Sequence, residues 1–381
     1  MLKISIPVDA KTRSCLCRTV FPAASLILVV FFIGTSVLVP DHKQASAEIK
    51  EQEMLQGNEK LPQSKDQERP RESETLPQGI IQKTSNLQMR PLWGNVAMRK
   101  PNEKANLFAA AVGVKQKVLV NKMVTKFLSS SFTVMLFHYD DAVDEWREFD
   151  WNSNVVHVSA HNQTKWQVWF AKRFMHPDIV AEYDYVFLWD EDIGVDTFDP
   201  LRYLSIVSSE GLEISQPALD VGKSEIHQQI TARINSIVHR RIYKPGSCER
   251  NNTSPPCTGW VEMMAPVFSR DAWRCVWYMI QNDLIHAWGL DYRLGYCAQG
   301  DRTQKMGVVD AEYVVHHGKP TLGESKDSTP PRPFNPREFN PRVEVRRQSW
   351  NEYKTFKQRW AKAAEEDKCW IDPYNDDPHR K

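Results

Sequence analysis

The stretch AEYDYVFLWDEDIGVDTFDP, residues 181–200, decides how the rest of the chain is interpreted. The apolar run Tyr185–Trp189 does not alternate with polar residues, which is typical of a strand covered on both faces, although a short buried helix can have the same composition. Asp190, Glu191 and Asp192 follow directly. Adjacent carboxylates repel one another unless solvent or a cation compensates them, and ligands of open α/β sheets bind beyond the carboxyl ends of strands. The stretch therefore predicts a strand that ends at a cation or ligand site.

The segments on either side alternate between short apolar runs and amphipathic stretches. Strands are predicted at 107–112, 132–137, 155–158, 185–189, 211–219, 259–268 and 313–315, and helices at 118–128, 165–174, 201–207, 270–282 and 345–364. Strands separated by helices of about ten residues indicate βαβ units. We therefore expect an α/β domain over residues 91–328, with a mostly parallel sheet flanked by helices. Residues 329–381 are predicted to be a Pro/Arg-rich segment followed by an amphipathic helix that docks on this domain.

Composition limits the classes of function that the chain can have. Of the 381 residues, 41% are hydrophobic and 10% aromatic, enough for a packed core. The 49 basic and 48 acidic residues give a net charge of +1. Such a balance provides no overall positive field for nucleic acid or for an anionic membrane surface.

The amino-terminal part predicts a membrane-anchored protein. Residues 20–39 carry no charge and are long enough to cross a bilayer as a helix. Basic residues are more frequent before this span than after it, which places the tail, residues 1–19, in the cytosol and the rest in the lumen. A cleaved signal peptide is the alternative, because Ala45-Ser46-Ala47 has the character of a cleavage site. Residues 40–90 are polar and predicted to be a disordered stalk. Both alternatives send the domain into the secretory pathway, and we expect a single-pass type II protein of the Golgi or another endomembrane.

Cysteines and glycosylation sequons agree with a lumenal domain. Cys248 and Cys257 flank a loop rich in Asn, Ser and Pro, and we expect a disulfide between them in an oxidising compartment. Sequons begin at Asn162, Asn251 and Asn252, which are glycosylation candidates if they are exposed. No Cys/His spacing indicates a zinc site.

The acidic triplet has the composition of a site for a hard divalent cation. Asp190 and Asp192 have D-x-D spacing, and two carboxylates at a strand end suit Mg²⁺ or Mn²⁺ with a bound diphosphate. Many D-x-D triplets are solvated loops, so the later residues matter. Asp291 follows Trp288-Gly289-Leu290 at the predicted start of a helical turn, and an imidazole from His316 or His317 could complete the metal shell. A helix-terminal carboxylate and a polar pair at a strand end are the alternatives for these later residues.

In the order of these features along the sequence, the chain resembles the GT-A glycosyltransferase fold. That resemblance implies a nucleotide-sugar donor bound through Mn²⁺ or Mg²⁺ on Asp190 and Asp192, with His316 or His317 as a further ligand. In inverting members a carboxylate in the position of Asp291 is the general base. The familiar glycine-glycine-acid sequence is replaced here by Gly289-Leu290-Asp291. Trp260 and Glu262 lie where such enzymes contact their acceptor, and Glu225–Arg233 offers further polar contacts.

A closer resemblance covers about residues 91–322. The segments MRPLWG (89–94), VMLFHYD (134–140), FLWDEDIGV (187–195), EGLEISQPALD (210–220), PPCTGWVEMMAPVFSR (255–270) and 277–301 carry it. They resemble a plant family defined as a domain of unknown function, whose members are often labelled lysine-ketoglutarate-reductase trans-splicing-related proteins. The chain has no basic stripe and no ribonucleoprotein aromatic motif to support RNA processing. A metal-dependent glycosyltransferase and a non-catalytic lumenal module that binds carbohydrate or protein are the two remaining hypotheses.

Overall fold

A computed structural model describes residues 69–85, 105–140, 142–160, 166–318 and 341–374. The chain divides into two compact units, Met1–Gln67 and Glu68–Lys381, and every described residue belongs to the second. The predicted cytosolic tail and membrane span lie outside the described residues. Within the described ranges, no helix is both long enough and apolar enough to cross a membrane.

The described part forms a sheet with helices on both faces. The strands are β1 Ala105–Val112, β2 Thr133–His138, β3 Val156–Ser159, β4 Tyr183–Trp189, β5 Ile193–Gly194, β6 Ile214–Leu219, β7 Val238–His239, β8 Val267–Ser269 and β9 Met306–His316. The helices are α1 Lys117–Ser129, α2 Gln167–Phe174, α3 Pro200–Ser209, α4 Arg270–Met279, α5 Arg302–Lys305 and α6 Pro341–Glu366. The sheet order is β3-β2-β1-β4-β8-β6-β9-β5, and β7 also pairs with β9.

The sheet is mixed, which corrects the expectation of a mostly parallel one. Strands β1 to β4 pair in parallel, as do β6 and β9. The short β8 runs antiparallel between β4 and β6, and β5 and β7 run antiparallel to β9. Of the predicted strand 259–268 only the end is a regular strand. Gly259 has φ +56, which is not a strand conformation, and the chain that follows passes the end of β4 irregularly. There the Asp190 N–H donates to the Met264 carbonyl at 2.8 Å. This irregular stretch runs beside the acidic triplet.

Both faces of β1 and β4 are buried, which explains their unalternating apolar sequences. In β4, Val186 and Leu188 belong to one hydrophobic cluster and Phe187 and Trp189 to the other. Phe127 of α1 packs edge-on against Phe187 at 5.4 Å between ring centroids, whereas α4 covers the opposite face. The interpretation of Tyr185–Trp189 as a strand covered on both faces is confirmed.

The carboxyl-terminal helix and a segment before β1 pack on the same face of the domain. Phe356 and Trp360 of α6 are 5% and 4% exposed, in agreement with the predicted docking helix. Leu76 and Ile80 are fully buried in the same cluster. The predicted stalk, residues 40–90, includes these residues, but in the structure residues 69–85 are part of the folded unit, because their few apolar side chains enter the core.

Two disulfides between described cysteines tie loops of the second half of the unit. Cys248 pairs with Cys257, the pair expected from the sequence, and closes the loop between them. Cys275 of α4 pairs with Cys297, which ends the 3-10 helix Asp291–Cys297. The second bond attaches the segment that follows Asp291 to the rigid α4.

Candidate active site

The side chains of the acidic triplet at the end of β4 point in two different directions. Glu191 accepts hydrogen bonds from the Gly113 amide at 2.7 Å and from the Tyr139 hydroxyl, in the loops that follow β1 and β2. Asp190 instead accepts a hydrogen bond from the side chain of Gln167 at the start of α2. The D-x-D spacing therefore leaves the two aspartates on the side of the strand end that Glu191 does not occupy.

The antiparallel pairing of β5 with β9 brings a histidine to these aspartates. Ile193 in β5 pairs with His316 at the end of β9, and the Asp192 carbonyl accepts a hydrogen bond from the His317 amide at 3.2 Å. One ligand atom each from Asp190, Asp192 and His316 lies within 4.8 Å of the others. His316 Nε2 faces Asp192 Oδ1 at 3.5 Å.

The geometry and charge of this group fit a hard divalent ion. Ligands at about 2.1 Å from an octahedral ion lie about 3 Å apart when adjacent and about 4 Å apart when opposite, and the 3.5 Å between His316 Nε2 and Asp192 Oδ1 falls in this range. Burial and the neighbouring Asp192 carboxylate raise the pKa of Asp190 well above its ordinary value. A cation would offset this penalty, because it favours the charged carboxylate. Two carboxylates and an imidazole are a donor set that Mn²⁺ accepts readily, and Mg²⁺ accepts the carboxylates.

Glu262 is a further carboxylate near Asp190, and its charge contributes to the raised pKa of Asp190. It lies on the irregular stretch before β8, where its amide donates to Gln216 Oε1 at 2.5 Å. His227 Nδ1 lies 3.1 Å from Glu262 Oε1, and His227 Nε2 lies 3.5 Å from Glu225 Oε1. The bond to Glu262 is the main cause that raises the pKa of His227, which favours the cationic ring between the two carboxylates.

Asp291 is the first residue of the 3-10 helix Asp291–Cys297 and lies close enough to Glu262 for the two carboxylates to repel each other. Burial is the main cause that raises its pKa to about 7, and the Glu262 carboxylate adds to the effect. The Tyr292 amide donates to Asp291 Oδ1 at 2.9 Å and opposes the rise. A carboxylate with a pKa near neutrality can accept a proton from a hydroxyl more effectively than an ordinary aspartate.

Residues 67–366 match the family described as "Protein of unknown function (DUF707)". The chain belongs to the DUF707 family. The matched range contains Asp190, Asp192, Asp291 and His316, as well as all of α6. It begins within one residue of the compact unit Glu68–Lys381, ahead of the predicted domain boundary at residue 91.

Comparison with solved structures finds relatives of low similarity. Staphylococcus aureus TarS 1–349 aligns at a TM-score of 0.35 with 7% identity, over 56% of this DUF707 chain and 59% of that chain. The structure of TarS 1–349 in complex with UDP-GlcNAc aligns at 0.35 with 12% identity, over 68% and 71%. The mannosyltransferase Ktr4p from Saccharomyces cerevisiae aligns at 0.24 with 8% identity, over 40% and 49%. The chain thus spans about three fifths of the first of these structures. A search of curated proteins finds no match.

Some residues expected in the site lie elsewhere. His317 is exposed, and its ring lies beside Gly194, so that of the two histidines only His316 joins the aspartates. Trp260 is 2% exposed and is unavailable for stacking on a sugar. Its ring packs against Tyr292, which is 36% exposed and presents an aromatic ring at the surface beside Asp291.

The predicted glycosylation sites that the structure describes are separate from the candidate metal site. Asn251 is exposed on the loop closed by the Cys248–Cys257 disulfide, whereas the Asn252 side chain donates to the Ser247 carbonyl at 3.2 Å. Asn162 lies outside the described residues. Gln167 and Tyr292 are not among the predicted site residues. Gln167 has no sequence signal, but Tyr292 directly follows the candidate base and is an aromatic residue in a polar turn.

Proposed function

We propose that the protein is a metal-dependent glycosyltransferase that moves a sugar from a nucleotide-sugar donor to a hydroxyl group of a glycan, protein or small molecule. The convergence of Asp190, Asp192 and His316 within 4.8 Å is the observation that carries this proposal. Mn²⁺ or Mg²⁺ held there would neutralise charge on the donor diphosphate. Glu262, His227 and the exposed Tyr292 ring are proposed to receive the acceptor.

Asp291 is the proposed general base. In this step the acceptor oxygen forms a bond to the anomeric carbon while the bond from that carbon to the phosphate oxygen breaks. The electron pair leaves with the nucleoside diphosphate, and the acceptor proton passes to the Asp291 carboxylate. A pKa of about 7 leaves a substantial fraction of this group ionised at neutral pH and makes it a stronger base than an ordinary aspartate.

We propose a lumenal endomembrane location, with residues 20–39 as the single membrane span. The Cys248–Cys257 and Cys275–Cys297 disulfides favour an oxidising compartment. The exposed Asn251 sequon provides a test, because a lumenal protein should lose mass after glycosidase treatment. Loss of that shift in Asn251→Gln would assign the glycan, whereas an unmodified wild-type protein would contradict the location.

The metal role is tested by Asp192→Asn, with Asp196→Asn as the matched control. Asp196 is an exposed aspartate four residues later that pairs with Lys122 at 3.0 Å. Calorimetry with Mn²⁺ should show at least about a ten-fold weaker affinity for Asp192→Asn and an unchanged one for Asp196→Asn. Hydrolysis or transfer from a panel of nucleotide sugars should follow the same order.

A second pair of variants separates the two histidines. His316→Ala should weaken Mn²⁺ binding, whereas His317→Ala should leave it within about two-fold of the wild type, since of the two rings only that of His316 joins the Asp190 and Asp192 carboxylates. Wild-type turnover that persists in Asp192→Asn would refute the metal role. Nucleotide-sugar or glycan binding that is independent of Mn²⁺ and gives no turnover would instead support the non-catalytic module.

A further inference from the structure

The carboxyl-terminal helix α6 contacts the loop that leads to Asp291 at three successive points. Arg359 makes two hydrogen bonds to the Asp283 carboxylate, at 2.7 and 2.6 Å. Glu352 binds His286. Tyr353 lies against Gly289, where a Cβ atom would come within 2.4 Å of the Tyr353 ring. Together these contacts fix residues 283–289, immediately before Asp291.

The Glu352 contact is the most enclosed of the three. Glu352 is 8% exposed and His286 is 6% exposed. One carboxylate oxygen accepts a hydrogen bond from the His286 amide and the other from Nδ1 of its ring, both at 2.8 Å. Gln348 Nε2 donates to the same Oε1 at 3.1 Å. A buried carboxylate that holds both the backbone and the ring of one residue fixes that residue in position and orientation.

His286 also contacts the opposite side of the site. Its ring packs edge-on against Trp166, with 5.2 Å between ring centroids. The next residue, Gln167, donates to Asp190 and, at 2.7 Å, to the Met263 carbonyl beside Glu262. His286 therefore connects α6 to the segment that positions Asp190 as well as to the loop that carries Asp291.

We propose that Glu352 is a positioning residue for the active site: by holding His286, it aligns the candidate base Asp291 with the aspartates that bind the metal. The proposal rests on the proposed function for its kinetic consequence. Misplacement of reacting groups by about 1 Å can reduce turnover by about a hundred-fold without loss of substrate binding. The effect of removing Glu352 should therefore fall on kcat and much less on the donor KM.

The test uses the full chain with Glu352→Ala, the conservative variant Glu352→Gln, and Glu365→Gln as a matched control. Glu365 is an exposed glutamate on the same helix. We expect kcat to fall by about ten-fold to a hundred-fold in Glu352→Ala, with donor KM and Mn²⁺ affinity within about three-fold. Glu352→Gln retains an acceptor for the His286 amide and should recover part of kcat. Glu365→Gln should match the wild type.

Hydrogen exchange separates a failure of this proposal from a failure of the proposed function. Amides of residues 283–292 should exchange at least about ten-fold faster in Glu352→Gln than in Glu365→Gln, whether or not the wild type turns over any nucleotide sugar. Faster exchange without wild-type turnover would refute the glycosyltransferase and keep the positioning contact. Unchanged exchange, or a loss of donor affinity equal to the loss of kcat, would overturn the positioning role of Glu352.

Discussion

Asp291 has a raised pKa, which suits its proposed role as a base and opposes stability. Because the pKa rises from 3.8 to about 7, ionisation is penalised in the folded protein, and this penalty is absent below pH 3.8 and complete above about pH 7. Each pKa unit corresponds to about 1.4 kcal/mol. Asn at this position keeps an oxygen acceptor for the Tyr292 amide but has no charge.

We therefore predict that Asp291→Asn stabilises the protein at pH 8 by about 1–3 kcal/mol and changes its stability little at pH 4. The same substitution should lower kcat by about a hundred-fold or more, because the base is lost. Urea denaturation at the two pH values and wild-type kcat against pH provide the measurements. A wild-type kcat that does not rise between pH 6 and pH 8, or destabilisation by Asp291→Asn at pH 8, would contradict these assignments.

The buried pair His138 and His157 sets a lower pH limit for the fold. His157 Nε2 donates to the Asn152 carbonyl at 3.1 Å, so its Nδ1 accepts a hydrogen bond from His138 Nε2 at 2.7 Å. His138 Nδ1 is then unprotonated, buried and without a hydrogen-bond partner among the described residues. Burial, with a smaller contribution from His157, lowers the pKa of His138 to about 3, and burial also lowers that of His157.

Both shifts favour the neutral rings in the folded state, so the stability that they contribute is present above pH 6.5 and is lost as the pH falls. We predict that the free energy of unfolding decreases below pH 6.5 by up to about 1.4 kcal/mol per pH unit for each ring. His138→Asn should flatten this slope, whereas Asn at the exposed His317 should leave it unchanged. Denaturation at pH 7.5, 6.5, 5.5 and 4.5 measures both, and a slope that is unaffected by His138→Asn would refute the explanation.

At the scale of elements, the contact between α6 and the Asp291 loop requires glycine. Gly289 has φ +89, and an added Cβ would lie 2.4 Å from the Tyr353 ring. Gly246 has a similar φ of +78 but no atom within 4 Å of an added Cβ. Comparison of the two alanine variants therefore separates backbone strain from the clash with the helix.

We predict that Gly246→Ala costs about 1–2 kcal/mol from backbone strain, and that Gly289→Ala costs about 1–3 kcal/mol more because Tyr353 is displaced. The Tyr353→Ala substitution should recover part of the extra loss in the Gly289→Ala background, as a double-mutant cycle would show. Equal losses of stability in the two glycine variants would mean that α6 accommodates the added methyl group at residue 289 without any further loss of stability.

The elements that sequence predicted well are those with strong local patterns. The unalternating Tyr185–Trp189 indicated a strand covered on both faces because its alternate residues enter different cores. By contrast, the placement of β8 between β4 and β6, and the pairing of Ile193 with His316, depend on contacts between segments distant in the sequence. The sequence therefore indicated both histidines as metal-ligand candidates without distinguishing them. The burial of Trp260 could not be predicted from the sequence either, because a tryptophan that contacts an acceptor sugar and one that packs in the core cannot be told apart by residue type.

At the scale of the whole molecule, residues 69–85 close the face of the domain on which α6 packs. Gln82 N–H donates to the Tyr278 carbonyl at 2.7 Å, and the buried Lys172 donates to the Gln82 and Trp277 carbonyls at 2.9 and 2.8 Å. Gln281 Nε2 donates to the Ile80 carbonyl at 3.0 Å. Removal of this segment would expose the core and leave Lys172 without one of its two acceptors.

The boundary of the folded unit is therefore predicted to lie near residue 68 and not at residue 91. Burial of an apolar side chain contributes about 1.5–3 kcal/mol, so the loss of Leu76, Ile80 and Ile81 would remove roughly 4.5–9 kcal/mol, comparable to the whole stability of a typical domain. We expect a chain of residues 68–381 to unfold cooperatively, and one of residues 91–381 to be unfolded or to melt more than about 10 °C lower.

Ile80→Ala in the longer chain should cost about 2–5 kcal/mol of stability, whereas Ile371→Ala should cost almost nothing, because Ile371 is 85% exposed. Equal melting temperatures for the two truncations would show that the segment rests on the domain without stabilising it, and the Ile80→Ala result would then be near that of Ile371→Ala.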